Sequence, residues 1–165
     1  EMDETYVGGK PRKGNGPKTG TKSKRGRGTD KMPVVGIVER NGRATAKRFE
    51  RGSLNSLNLT RFFQQVVDGR GSIVITDEYH GYDGLKRITE HYAVNHQEAY
   101  VVGETHTNTV EGFWSLLKRA WYGQHHHYSD KWANHFISET AYKYNNRRNE
   151  NVFGGLLRHM VGVAA

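Results

Sequence analysis

Ser72-Ile73-Val74-Ile75-Thr76 is apolar on both sides, too short for a helix, and runs directly into Asp77. A run of that kind reads as a central strand covered on both faces. It commits the chain to an α/β arrangement in which helices pack on a sheet. It also places a carboxylate at a strand's carboxyl end, where open α/β sheets form their crevices. Asp77 can equally serve as a helix N-cap for the turn that follows.

Other segments fall into place around that strand. Val34-Val35-Gly36-Ile37-Val38 is a short apolar run, and Ala44-Thr45-Ala46-Lys47-Arg48-Phe49 alternates. Asn41-Gly42 between them predicts a hairpin, because both residues accept positive φ. Residues 56 to 68 predict a helix with Leu57, Phe62, Phe63, Val66 and Val67 on one face and Gly69 past its end. A short helix near 80 to 88, a strand near 91 to 95 and helices near 108 to 122 and 129 to 147 complete the pattern. The tail from Val152 carries a Gly-Gly break and a weak apolar pattern that assigns no element.

Two further acids compete with local explanations. Asp3 sits in Asp3-Glu4-Thr5-Tyr6, where strand alternation sets Asp3 and Thr5 on one face and Glu4 and Tyr6 on the other. A solvated acid near a chain end explains Asp3 as simply. Asn108-Thr109-Val110-Glu111 fits a capping box, with Asn108 as the cap and Glu111 reaching back to it. On a helical wheel Phe113, Leu116, Leu117, Ala120 and Trp121 share an arc, and Glu111 lies opposite beside Ser115, Lys118 and Tyr122. An acid and a lysine on one face suit a metal with its phosphate, and they suit plain exposure too.

Charge indicates the partner. The net charge of +8 and pI near 9.7 favour a polyanion. Nine Lys or Arg among the 22 residues from 10 to 31 form a Gly- and Pro-containing basic loop, able to order on phosphates or simply to remain solvated. With no cysteine there is no disulfide framework and no thiolate zinc site. His125-His126-His127 point in alternating directions on an extended segment, so at most two could share one metal, with help from His106 or Asp130. Polar loop and cap roles suit them better. No run of about 18 apolar residues is present to span a membrane. A chain that opens on Glu1, almost at its first acidic motif, reads as a piece of a longer protein.

The blocks from Asp3 to Lys10, the basic loop, Thr76-Asp77-Glu78-Tyr79, His106 to Lys118 and Glu139 to Arg147 together resemble, in order over residues 1 to 150, the ISXO-like insertion-sequence transposases of bacteria. That resemblance implies an RNase H-like fold, a mixed five-stranded sheet flanked by helices, as one catalytic domain over residues 1–150 with a tail at 151–165. It implies that Asp3, Asp77 and Glu111 form a DDE triad, with Glu111 34 positions after Asp77. Asp3 and Asp77 would be the main ligands of Mg²⁺ or Mn²⁺, two ions in all, and Glu111 the third ligand or base, supported by His106 and Asn108. Lys22, Lys24, Arg25, Arg27, Lys118, Arg119, Arg147 and Arg148 are the implied DNA contacts, while Trp114 and Trp121 read as core. The implied reaction is DNA strand cleavage followed by strand transfer. The implied partners are double-stranded transposon ends and target DNA, with homo-oligomers on DNA and a cytoplasmic, nucleoid-associated setting. An RNase H-like nuclease or resolvase, or a non-enzymatic, domesticated DNA-binding domain whose acids are only caps, are the alternatives.

Overall fold

A computed structural model describes residues 1–9, 26–69, 71–94 and 106–162, without the side chains of Arg27 and His159. Strand β1 (Met2–Val7) pairs antiparallel with β2 (Met32–Val38), and β2 pairs antiparallel with β3 (Ala44–Arg48). The hairpin between β2 and β3 forms where it is expected, with a different turn. Only Asn41 takes the left-handed conformation, at φ 60°. Gly42 lies under the exposed Glu39 side chain, and its N–H donates to Glu39 O at 3.0 Å.

Helix α1 (Ser56–Val66) starts at Asn55, whose side chain accepts from the Asn58 N–H at 3.0 Å. It buries the predicted Phe62 and Phe63, with Val67 packed against the same core, but Leu59 takes the inward place expected of Leu57. The i, i+3, i+4 spacing from Leu59 selects Phe62 and Phe63 and turns Leu57 outward, while Val66, at the last turn, is exposed as well. Strand β4 (Ile73–Asp77) then pairs in parallel with β5 (Glu90–Val94) across a 3-10 helix, His80–Arg87. Val74 and Thr76 are buried while Ile73 is exposed, so β4 is not the doubly covered strand. That strand is β2, buried along its whole length.

Helix α2 (Asn108–Arg119) runs into a π-helical turn at Ala120–Gln124, and α3 (Ala133–Asn145) follows. The tail left unassigned by its pattern forms α4 (Val152–Met160), with Phe153 and Met160 exposed. Two cores sandwich the β1–β2–β3 sheet. On one face Val34, Val38 and Ala46 meet Phe113, Leu117 and Ile137 of α2 and α3. On the other Met2, Val35 and Ile37 meet Leu59, Phe63, Tyr82 and Leu85.

A single five-stranded sheet is expected, whereas the described residues form a three-stranded antiparallel sheet and a separate two-stranded parallel one in a mixed α/β fold. Strands β1 and β4 nonetheless lie side by side. Their seam is where acidic side chains meet, and like charges facing each other disfavour a closed ladder there. Among the described residues no helix is long and apolar enough to cross a membrane.

Candidate active site

Strand geometry brings Asp3 to the seam. Met2 points into one core and Val7 into the other, so alternation puts Asp3 on the α2 side of the sheet and Glu4 on the Tyr82 side. Two hydrogen bonds follow that division: Trp114 Nε1 donates to Asp3 Oδ2 at 2.8 Å, and Tyr82 Oη donates to Glu4 Oε2 at 2.7 Å. Asp77 closes β4, and its Oδ1 accepts the Tyr79 N–H at 3.1 Å, the local turn contact expected of an acid in that place.

Asp3, Glu4 and Asp77 each offer an oxygen, and these oxygens lie within 4.8 Å of one another. Among the described residues this is the group of three so arranged, and it contains neither Glu111 nor a histidine. Burial pushes the Asp3 carboxyl up to about 7; the charges of Glu4 and Asp77 add to the rise, and the Trp114 hydrogen bond opposes it. Burial, with the same charges beside it, raises the Tyr82 pKa well above its ordinary value and keeps it a phenol donor. A spot this acidic and this crowded is relieved by a proton or by a hard cation with oxygen ligands.

Glu111 stands on the wall of the same cleft, a space of roughly 1000 Å³ that Asp3, Glu4, Trp114, Lys118, Arg119 and Tyr122 also line. The capping box does not form. Thr107 is the N-cap of α2, without a side-chain cap bond, and its hydroxyl donates to Glu111 Oε1 at 3.3 Å. Asn108 is the first helical residue and exposed, its N–H directed at His106 Nδ1 at 3.4 Å. What caps this helix is Glu1. Its carboxylate accepts from the Val110 N–H and the Thr109 hydroxyl, both at 2.9 Å, and pairs with Arg40 Nε at 2.8 Å. Burial works against ionisation of Glu1, but these bonds outweigh it and hold the group below its usual range. His106 belongs to this cluster, 3.4 Å from Glu1, and its carbonyl accepts from Arg40.

The implied DNA contacts separate. Lys118 and Arg119 are exposed at the acidic cleft. Arg147 is committed elsewhere: it donates to Gly42 O and Tyr144 O and stacks 4.0 Å from the Tyr144 ring centroid. Arg148 is exposed beyond the end of α3. Lys22, Lys24 and Arg25 lie outside the described residues, as does the side chain of Arg27. His125 packs on Phe136 and lies 3.5 Å from Glu139, and the His127 ring meets Trp121.

Sequence reasoning missed Glu4 and Glu1. For Glu4 alternation pointed away from Asp3, yet at an open strand edge both side chains can turn toward Asp77. For Glu1 no pattern links it to a helix a hundred residues later.

Fold and site together define a mixed α/β domain in which acids of β1 and Asp77, at the end of β4, gather near a helix whose outer face bears Lys118 and Arg119. The particular assignment comes from the sequence as a whole: the chain belongs to the ISXO2-like transposase domain family, whose model matches residues 1–145. No curated protein and no solved structure matches it. Family membership makes it a transposase domain and DNA its partner.

Proposed function

We propose that this domain carries out DDE-type transposition chemistry: metal-dependent cleavage at a transposon end and transfer of the freed strand to target DNA. The observation that carries the reading is the convergence of Asp3, Glu4 and Asp77 within 4.8 Å of one another, with Asp3 and Glu4 on a cleft that Glu111 and Lys118 also line. The adjacency of β1 and β4 supports reading the two small sheets as parts of one RNase H-like array in the order β3-β2-β1-β4-β5.

The donor set fits Mg²⁺ or Mn²⁺: it is all oxygen, anionic and clustered. Asp3, Asp77 and Glu4 would hold the ion, with Glu111 across the cleft as a further ligand or base. Bound there, such ions supply Lewis acidity and an activated oxygen nucleophile for in-line displacement at phosphorus. The remaining work falls to this chain's side chains. Lys118 and Arg119 hold the phosphates flanking the scissile bond, and Glu111 accepts the proton of the attacking oxygen. In the first transfer, water attacks phosphorus and the 3′ oxygen leaves as a hydroxyl. In the second, that hydroxyl attacks a target phosphodiester and displaces its 3′ oxygen.

A strand-transfer assay on oligonucleotides carrying the element's ends, with Mg²⁺ or Mn²⁺, compares wild type with Asp77→Asn. Joined products from wild type and none from the variant are expected. Cleavage without joining would assign a nuclease or resolvase instead, and DNA binding with no metal-dependent product would refute the enzymatic reading.

A further inference from the structure

Trp114 looks at first like one more core aromatic, 4% exposed and packed among Val34, Phe113 and Leu117. Its polar edge is what sets it apart. An indole nitrogen can only donate, and this one donates to Asp3 Oδ2 at 2.8 Å rather than to a backbone carbonyl. The seat for the ring is built into the sheet. Gly36 is the ladder partner of Asp3, and a Cβ at that position would lie 2.5 Å from Trp114 Cη2. The absence of a side chain directly opposite Asp3 is therefore what lets the indole lie against β2 and reach the carboxylate.

The same helix carries the other cleft residues. Glu111 precedes Trp114 by three positions and Lys118 follows by four, so all three lie along neighbouring turns facing one cleft. The indole-to-carboxylate bond is a direct polar tie between the helix that bears Glu111 and the strand that bears Asp3.

We propose that Trp114 is a positioning residue for the metal site: seated on Gly36, it fixes the orientation of the Asp3 carboxylate and ties α2 to β1. The inference rests on the reading of Asp3 as a metal ligand given above. Partners that orient a ligand from behind typically contribute about 10- to 100-fold in metal affinity. Trp114→Phe keeps an aromatic ring on the seat but removes the donor, along with three ring atoms whose loss the thermal melt registers. Gly36→Ala leaves the donor and unseats the ring.

The test measures Mn²⁺ affinity by electron paramagnetic resonance on wild type and both variants, with circular dichroism and thermal melts to establish folding. Alongside it, wild type labelled with 5-fluorotryptophan is titrated with Mg²⁺ and followed by ¹⁹F resonance. Three resonances arise from Trp114, Trp121 and Trp132, and each is assigned by its Trp→Phe variant. Folded variants should bind Mn²⁺ about tenfold more weakly or worse. The Trp114 resonance should shift with a midpoint matching metal binding while the other two stay still. Unchanged affinity in folded Trp114→Phe overturns this inference alone, as does a motionless Trp114 signal during saturable binding. Absence of any metal binding by wild type overturns both this inference and the function on which it rests. If neither variant folds, the ¹⁹F titration of wild type decides.

Discussion

Replacing Asp3 by Asn should change how stability depends on pH in the metal-free protein. In the folded chain burial lifts the Asp3 carboxyl from 3.8 to about 7, so the fold binds a proton that the unfolded chain has already released. A folded pKa above the unfolded one means that this group's favourable contribution is complete below about pH 4 and is lost as pH rises through about 7. The full gap corresponds to roughly 4 kcal/mol, of which roughly 2 to 3 kcal/mol falls between about pH 5 and pH 8. His91 acts in the opposite direction. Burial lowers its pKa, so its contribution is lost as pH falls through the range below 6.5. Glu1, held low, stays ionised throughout this window. Wild-type stability alone therefore mixes signs, and the difference between wild type and Asp3→Asn isolates the carboxyl. The amide keeps an oxygen for the Trp114 N–H and carries no charge. Urea denaturation in chelator-containing buffer at about pH 5, 6, 7 and 8 measures it. The variant should gain on wild type by roughly 2 to 3 kcal/mol across that range. Added Mg²⁺ at about pH 8 should then raise the stability of wild type and leave the variant unmoved. A wild-type-to-variant difference that stays constant with pH would refute the burial of an ionisable Asp3, and with it the argument that this spot requires a cation or a proton.

Two further outcomes test the scaffold. Phe63→Ala empties a fully buried position between α1 and the sheet and should lower the unfolding free energy by about 3 to 5 kcal/mol in chemical denaturation. Asn55→Ala removes the acceptor that caps α1 and should cost about 1 kcal/mol, read as a shift in denaturation midpoint at unchanged slope.

Legibility followed the range of the interaction. Strand and helix identities were readable wherever pattern and packing coincide: β2, the hairpin, α1 and α2 sit close to where periodicity puts them. Which strand is doubly covered was not readable, because Ile73-Val74-Ile75 and Val34-Val35 look alike in sequence and differ only in what packs on them. On the inward face of α1, Phe62 and Phe63 are readable from the period, whereas Leu57 and Leu59 are equally apolar and tertiary contact chooses between them. At the candidate site, Asp77 was readable from its place after an apolar run. Glu4 was not, because alternation assigns it to the face opposite Asp3 and gives no sign that both carboxylates reach one spot at the edge of β1 beside β4.

Glu111 illustrates why a local motif can predict position without predicting contacts. The capping box required Asn108 to cap and Glu111 to answer it. The chain instead uses Glu1, from before the first strand, to satisfy the helix N-terminus through Val110 and Thr109. A carboxylate supplied from outside suits the helix dipole as well as one supplied from within, and it leaves Glu111 free of the capping duty, held by Thr107 at the cleft wall. The first turns of α2 are thus tied to the start of the chain by separate bonds, Glu1, just before β1, to Val110 and Asp3, within β1, to Trp114. Strand ladders and side-chain ties of this kind do different work. The ladder with β2 fixes the position of Asp3 along β1, whereas the height of Glu111 above that strand depends on two side-chain contacts that flank it in sequence. The acid on the helix is accordingly the member of the site most exposed to substitutions that leave the fold intact.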